Sequence, residues 1–279
     1  MNDDQERLVD AAGVIHEPAA GAARILSLAG PLTDLCLALG LGNRLVARSG
    51  DSGSAAEAAA PGSVVGPSDD PDLDRIRELE PTHALVHLDR TSPPVLAALA
   101  ERGIEVVAAR PREPGDNFAL FTLLGRLFSA EDMADTLARR LEAVLARIKM
   151  AMLRKRARRV LFVTGRNPDR VLTPTSYAAR MLGLARLTVV GPADCPDDEA
   201  PLDLGPDLVL GLDAILLDGT RGNFRRADIR AFAETYGTSR DRVHLVEDHP
   251  GEWYGARAIS AVDDLIDLRR RLSQAWTQT

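Results

Sequence analysis

Aromatic residues and cysteine are scarce in this chain. Its 279 residues include two Trp, three Tyr, six Phe and two Cys. Cys36 lies in an apolar helical run and Cys195 in an acidic loop. Two cysteines so placed provide neither a disulfide framework nor the ligand spacing of a zinc site. We therefore expect free thiols, as in a reducing compartment, and no metal site.

The sequence also lacks a recognisable secretory signal. The N-terminal MNDDQERLVDAAG is acidic and polar, whereas a signal needs a basic region followed by an apolar one. No run reaches the roughly 18 apolar residues of a membrane-spanning helix. We expect a cytoplasmic protein without membrane insertion, or a periplasmic one if the true start lies upstream of Met1.

Basic residues are in the minority, with 34 Lys and Arg against 41 Asp and Glu, which gives a net charge of −7. Nucleic-acid binding depends on a basic surface that neutralises phosphates, so we expect no nucleic-acid partner. The basic run KRARR, Lys155–Arg159, is interpreted as a solvated helix end rather than a binding patch.

Catalytic motifs are absent as well. The sequence contains no G-x-S-x-G nucleophile elbow, no P-loop and no H-E-x-x-H zinc motif. The run Glu247, Asp248 and His249 has acid–base side chains, but adjacent residues at a strand end point in different directions. We therefore predict no catalytic residues and a protein that is not an enzyme.

Short apolar runs alternate with amphipathic segments through most of the chain. HALVHL at 83–88 precedes the helical pattern PPVLAALAERG at 93–103, and IEVVAA follows at 104–109. The alternation restarts with RRVLFVTG at 158–165. Strands that alternate with helices are typical of an open parallel sheet.

One amphipathic segment is much longer than the others. Apolar residues recur every three or four positions up to Met152, which predicts one helix of roughly 26 residues, about 39 Å long, in the segment from Ser129 to about Arg156. Ser129 and Asp132 have the spacing of a capping box. We predict an α/β protein of two Rossmann-like lobes with parallel sheets joined by this backbone helix. The predicted boundaries are 1–128 for the N-terminal lobe, 129–156 for the helix and 157–279 for the C-terminal lobe.

Three sequence motifs follow one another in the order found in a known protein family. RILSLAGPLTD at Arg24–Asp34 resembles R-I-V-S-L-x-P-S-x-T-E, and VGPSDDPDLD at Val65–Asp74 resembles V-G-G-x-x-x-P-D-L-E. EWYGARA at Glu252–Ala258 resembles a late W-Y-G-[SA]-R turn. With the long helix, the pattern from about Leu8 to Leu272 resembles the helical-backbone substrate-binding proteins of ABC importers for cobalamin, haem and ferric siderophores, particularly the cobalamin-binding branch.

This resemblance implies a non-catalytic binding protein whose small-molecule ligand is held in a cleft between two lobes. It implies a corrinoid, haem or metal chelate as the ligand class, although no cofactor is firmly implied. An ABC permease is the implied partner, and Asp74 stands where the family carries an N-lobe docking acid.

Candidate ligand-binding residues follow strand ends, because ligands of open α/β sheets bind outside the carboxyl ends of the strands. Trp253 and Tyr254 lie in a turn flanked by Gly251 and Gly255, and we expect the turn to present both rings for stacking. The remaining candidates are polar or basic: Arg166, Asn167, Arg221, Asn223, His87, Arg48 and Ser49. His83 and His87 lie about 13 Å apart along a strand, too far to share a metal ion.

Two other functions stay open from the sequence. The first is a cytosolic enzyme, or a protein that handles metals or tetrapyrroles, which reuses this fold. The second is a diverged scaffold without a small ligand. An enzyme needs at least two titratable groups that converge in the site, whereas a binding protein needs apolar walls with few polar anchors.

Overall fold

The computed structural model describes residues 7–21, 23–50, 60–166, 168–195, 197–202, 211–247 and 249–277. The chain divides into two compact units. The first comprises Met1–Pro111, Gly115–Leu141 and Tyr254–Ile259, and the second comprises Arg112–Pro114, Glu142–Trp253 and Ser260–Thr279. The predicted boundaries place residues 254–259 in the C-terminal lobe, whereas these residues cluster with the first unit.

The first unit contains a five-stranded parallel sheet in the order β5-β4-β3-β6-β7. Its strands are β3 (Ile25–Ser27), β4 (Leu45–Arg48), β5 (Ser63–Val64), β6 (His83–His87) and β7 (Glu105–Ala109). Its helices are α1 (Gly30–Ala38), α2 (Leu73–Glu78), α3 (Pro93–Glu101) and α4 (Asp116–Leu127). The predicted alternation of strands and helices is confirmed.

One face of this sheet is covered by α2 and α3. Leu26 on β3 and Ala84 and Val86 on β6 belong to a buried cluster with Ile76 of α2 and Leu99 of α3. Residues two apart on a strand face the same side, so alternate positions supply this core. This core fixes the carboxyl ends of β3 and β6 relative to α2 and α3.

An N-terminal hairpin, β1 (Leu8–Val9) and β2 (Ile15–His16), was not predicted from the sequence. Asp10 organises it, because its Oδ1 accepts hydrogen bonds from the backbone N–H groups of Ala12 and Val14, each 2.9 Å long. The other carboxylate oxygen of Asp10 accepts a 2.9 Å hydrogen bond from the N–H of Ala108 on β7. The hairpin is thus fastened to the edge strand of the sheet.

Histidines and a glutamate lie at the amino end of the same sheet. The His16 Nδ1 atom is 2.6 Å from Glu105 Oε1, and the His83 Nε2 atom is 3.4 Å from Glu105 Oε2. His83 Nδ1 lies 2.7 Å from the hydroxyl of Thr82. Burial lowers the pKa of His83, the negative charge of Glu105 partly offsets this effect, and the charge of His16 adds to it.

We expect His83 to make the protein less stable in mild acid. Its folded-state pKa lies below the unfolded value of about 6.5. Below about pH 6.5 the unfolded chain therefore binds more protons, so the free energy of unfolding falls as the pH falls toward the folded-state pKa. Urea unfolding from pH 8 to pH 5, at about half-unit steps, measures this slope. His83→Gln should flatten it, and curves of equal slope for the two proteins would contradict the assignment.

The predicted backbone helix is present as α5, Glu131–Met152, with 22 residues. It is shorter than predicted, about 33 Å at 1.5 Å per residue. The predicted capping role of Ser129 is wrong, because its φ of +55° lies in the left-handed region and the helix begins two residues later. Leu137, Leu141 and Ile148 form its buried stripe. The helix belongs to the first unit up to Leu141 and to the second from Glu142.

The second unit contains a six-stranded sheet in the order β11-β9-β8-β12-β13, with β10 paired to β8. Its strands are β8 (Arg158–Gly165), β9 (Arg170–Leu172), β10 (Leu187–Val189), β11 (Glu199–Pro201), β12 (Ala214–Asp218) and β13 (Val243–Val246). Its further helices are α6 (Tyr177–Leu184) and α7 (Asp228–Thr235), and α8 (Arg257–Thr277) closes the chain.

This second sheet is mixed, which corrects the prediction of two parallel sheets. β10, β8, β12 and β13 pair in parallel, whereas β9 pairs with β8 and β11 pairs with β9 in antiparallel fashion. Only residues 166–169 connect β8 to β9. A parallel pair needs a crossover of about a dozen residues or more, so a connection this short returns the chain antiparallel.

No helix in the described part of the chain combines the length and apolar character needed to cross a membrane.

Candidate functional site

The carboxyl edge of the first sheet carries Arg48, Ser49 and His87. β4 and β6 both pair with β3 in parallel, so their carboxyl ends lie at the same edge, about 10 Å apart. Ser49 is fully buried, and its Oγ has no hydrogen-bond partner among the described residues. The Arg48 Nε atom is buried and likewise lacks a partner within the described ranges. Buried polar groups are usually satisfied, which makes these two atoms candidates for contact with a ligand or water.

His87 lies at the same edge with its ring held in place. It is 7% exposed, and its Nδ1 accepts a 3.3 Å hydrogen bond from the N–H of Asp89. This contact assigns the proton of the neutral ring to Nε2. The His87 ring centroid lies 5.4 Å from that of Tyr254, with the planes tilted by 55°. His87 therefore packs against the segment of the first unit that comes from the C-terminal part of the chain.

The prediction that the turn presents the Trp253 and Tyr254 rings for stacking instead of burying them is wrong. Trp253 is 3% exposed and Tyr254 is fully buried. The Trp253 carbonyl accepts a 2.7 Å hydrogen bond from the hydroxyl of Tyr177, which is also buried. The role of the two aromatic residues in ligand binding stays a prediction, but each ring is part of a packed interior.

The turn after Tyr254 is fixed within the first unit. Gly255 has a φ of +61°, and a Cβ at this position would lie 2.9 Å from the carbonyl oxygen of Pro31. Its N–H donates a 2.6 Å hydrogen bond to the Oδ1 atom of buried Asn117. Arg257 forms an ion pair with Asp34, the residue at the end of the first sequence motif. The two family-like motifs therefore meet through a charge pair and a close backbone approach.

The carboxyl edge of the second sheet contains a buried Asp–His pair that the sequence pattern did not single out. Asp218 ends β12 and is fully buried, and His249 follows β13 and is 2% exposed. The His249 Nδ1 atom lies 2.5 Å from Asp218 Oδ2. β12 and β13 are parallel neighbours, so residues that follow their ends come together across the edge. Asp248 lies outside the described residues.

The second oxygen of Asp218 is also fully engaged. Its Oδ1 accepts hydrogen bonds from the N–H and hydroxyl of Thr220, each 2.8 Å, and from the N–H of Arg221 at 3.0 Å. Burial alone raises the pKa of this carboxyl, but the hydrogen bond and charge of His249 and the two bonds from Thr220 outweigh it. The pKa of Asp218 therefore lies below its ordinary value. An ionised Asp218 accepts a hydrogen bond from His249 Nδ1, which places a ring proton on that nitrogen.

Two of the candidate arginines are already paired with carboxylates. Arg166 donates to Asp228 at 2.8 Å and its guanidinium lies 4.2 Å from the ring centroid of Phe224. Arg221 forms a 2.7 Å ion pair with Glu199. The hydrogen bond from Arg166, followed by that from the Arg225 N–H, lowers the pKa of Asp228. An anionic ligand at this edge would have to compete with these carboxylates.

The remaining candidates have varied surroundings. Asn223 is exposed with a φ of +49°, and its carbonyl oxygen accepts a 3.2 Å hydrogen bond from Arg166. Asn167 lies outside the described residues. Asp74 stands in the first turn of α2 with an 80% exposed side chain, 3.3 Å from Arg77. Over the described ranges, no group of three His, Cys, Asp or Glu side chains is arranged to hold a metal ion.

Comparison with known proteins establishes the fold. No protein-family model matches the sequence, and no curated protein does. Among solved structures, the periplasmic vitamin B12 binding protein BtuF of Vibrio cholerae is similar with a TM-score of 0.73 and 17% identity, over 91% of this chain and 98% of that one. The periplasmic heme-binding protein RhuT from Roseiflexus sp. RS-1 is similar with a TM-score of 0.71 and 21% identity, over 91% and 99%.

A third similar structure is the periplasmic heme-binding protein BhuT in complex with two hemes, with a TM-score of 0.73 and 22% identity, over 91% and 99% of the two chains. The predicted α/β fold is therefore confirmed, and it is similar to the fold of these periplasmic binding proteins. Because the identities are low, the likeness establishes the fold and leaves the ligand to other evidence.

Proposed function

We propose that this protein is a non-catalytic binding protein for a small molecule. The observation that carries the proposal is the fold, which matches proteins that bind vitamin B12 or heme over 91% of this chain. The local geometry supports it, because buried polar side chains gather at the carboxyl edges of the sheets, where ligands of α/β proteins bind.

We further propose that the ligand is a tetrapyrrole or a metal chelate. Neutral imidazole is the commonest protein ligand for metals, and a second hydrogen bond to its other ring nitrogen sets its orientation and basicity. The Asp218–His249 pair has this arrangement. His249 is the side chain that we propose to face such a ligand.

The protein as purified provides the first test. Native mass spectrometry should detect a bound small molecule, and an absorption scan should show a corrinoid or haem band if the proposed class is correct. The protein is then stripped of its ligand and titrated with hemin and with cyanocobalamin, which shows for which of the two it has the higher affinity. If neither binds and nothing co-purifies, the ligand class is rejected, and the scaffold alternative gains support.

Asp218→Asn tests the part of His249 in binding. The amide can still accept the hydrogen bonds from Thr220, but its N–H₂ group would face His249 Nδ1 and favour the other tautomer. We expect affinity for the co-purified ligand to fall by about tenfold or more, since outer-sphere partners of metal ligands have effects of that size. Asp213→Asn is the matched control, because Asp213 immediately precedes β12 at its opposite end. Equal affinities for both variants would reject the role of His249.

An enzyme remains the second candidate, and the same Asp218–His249 pair is the observation that favours it. An ionised Asp that orients a His is the arrangement used to create a general base. Prolonged incubation followed by mass analysis of the ligand separates the two functions. A binding protein releases its ligand unchanged, whereas an enzyme releases a molecule of altered mass.

A transport role is a further proposal. The exposed carboxylate of Asp74 is available to an ABC permease, and Asp74→Ala should then reduce uptake without changing ligand affinity. Cellular location stays a prediction that fractionation of a tagged protein checks.

A further inference from the structure

Two basic runs of the sequence come together in the second unit, although the protein carries a net charge of −7. RKRARR at 154–159 follows the long helix, and RRR at 269–271 lies in α8. They are joined by a 2.7 Å hydrogen bond from Arg269 Nη2 to the carbonyl oxygen of Arg156. These residues form what we call the basic cluster. It lies near the start of β8, at the end of the sheet opposite to Asp218 and His249.

The basic cluster borders a cavity of about 280 Å³. Met152 and Ile266 give it an apolar wall, and Lys155, Arg269 and Arg270 are its basic lining residues. Lys155 is exposed, and Arg270 is 65% exposed and paired with Asp267 at 2.9 Å within α8. The cavity therefore combines an apolar surface with the exposed cation of Lys155 and with Arg270, for which an anion would compete with Asp267.

Arg269 places a third positive charge at the cavity. It is 3% exposed, and its Nε and Nη1 atoms have no hydrogen-bond partner in the described part of the chain. The nearby carboxylate of Asp213 is engaged by Arg158 at 2.6 Å. Burial, followed by the positive charge of Arg158, lowers the pKa of Arg269, and Asp213 only partly offsets these effects.

The other neighbour of Arg269 is an aromatic ring rather than an anion. The centroid of the Trp276 indole lies 4.8 Å from the guanidinium carbon of Arg269 and 4.7 Å from that of Arg158. A cation–π contact compensates a buried charge less completely than a carboxylate does. The region thus has more positive charge than its own carboxylates neutralise.

We propose that this cavity binds a small organic anion, with a phosphate or carboxylate head and an apolar body. The head lies against Lys155 and Arg270, where charge-assisted hydrogen bonds are available. The apolar body lies along Met152 and Ile266, and the buried charge of Arg269 adds long-range attraction. The site is separate from the edge that contains Asp218, so it does not depend on the function proposed above.

Isothermal titration of the full chain with octyl phosphate, octanoate, octyl glucoside and inorganic phosphate tests the proposal. We expect an octyl anion to bind, the neutral glucoside to fail to bind, and inorganic phosphate to bind more weakly because it lacks the apolar body. A preference between octyl phosphate and octanoate identifies the head group. Binding should weaken when the ionic strength rises from about 0.05 to 0.3 M, because salt screens exposed charges.

Lys155→Ala and Arg270→Ala should each reduce the affinity for the octyl anion by about tenfold, as expected for the loss of one charge-assisted hydrogen bond. Arg230→Ala is the matched control, since Arg230 is an exposed helical arginine that is paired with Glu234 at 2.7 Å and does not line the cavity. The Arg230→Ala variant should bind the octyl anion with the same affinity as the parent protein. The proposal is overturned if neither octyl anion binds, if octyl glucoside binds equally well, or if Arg270→Ala and Arg230→Ala have the same affinity.

Discussion

Replacement of Trp253 by alanine is expected to lower the free energy of unfolding by about 3–5 kcal/mol, the usual cost of truncating a buried Trp. The side chain is 3% exposed, and the backbone at this residue is held by the hydroxyl of Tyr177. Removal of the indole leaves a cavity that the surrounding structure cannot fill completely. Urea unfolding of the variant and the parent measures the loss.

The same variant also separates packing from ligand stacking. Affinity for the co-purified ligand is measured on the fraction that remains folded at low temperature. If Trp253 is mainly a packing residue, that affinity is unchanged. Trp276→Ala is the matched control. Because Trp276 is partly exposed, its replacement should lower the free energy of unfolding by less than that of Trp253. Normal stability together with an affinity loss of tenfold or more would instead restore the stacking role predicted from the sequence.

Proline at position 141 is expected to have an effect of similar size through the backbone. Leu141 is fully buried in the interior of α5, at the last position that the helix contributes to the first unit. Proline removes the hydrogen bond from residue 141 to Leu137 and clashes with the preceding turn, at a cost of about 3 kcal/mol or more. Because α5 runs through both units, we expect their unfolding to separate into two transitions.

Calorimetry of Leu141→Pro shows whether this separation occurs. Leu141→Met is the control, since a substitution that nearly conserves volume costs less than about 1.5 kcal/mol and leaves the helix intact. A single transition at the temperature of the parent would be incompatible with a continuous helix that links the two units.

Much of the fold follows from local patterns in the sequence. The period of the apolar residues over 137–152 requires a helix whichever residues pack against it, and RRVLFVTG is long and apolar enough to form a buried strand. The ends of the long helix were less predictable. Ser129 has the residue type and spacing of a cap, but its backbone adopts a left-handed conformation. Helix ends depend on how the chain enters the helix, which the side-chain pattern does not encode.

In the candidate site, the difference between what the sequence predicts and what only the structure shows is larger. Arg48, Ser49 and His87 could be located from the sequence, because parallel strands bring their carboxyl ends to one edge. Arg166 and Arg221 could be located in the same way, but their neutralisation by Asp228 and Glu199 could not be predicted. The members of each pair are more than 20 positions apart in the sequence. Only the packing of the loops brings them into contact.

The sequence by itself determined the strand and helix alternation, the long helix and the position of strand ends, because these depend on residues close together in the chain. Only the tertiary structure decided that Trp253 and Tyr254 are buried. Flanking glycines allow a sharp turn but do not determine whether it faces solvent or a packed interior. The Asp218–His249 pair was likewise decided by tertiary structure, since 31 residues separate its members. Parallel pairing of β12 with β13 brings the ends of the two strands together, and both side chains are buried there within hydrogen-bonding distance.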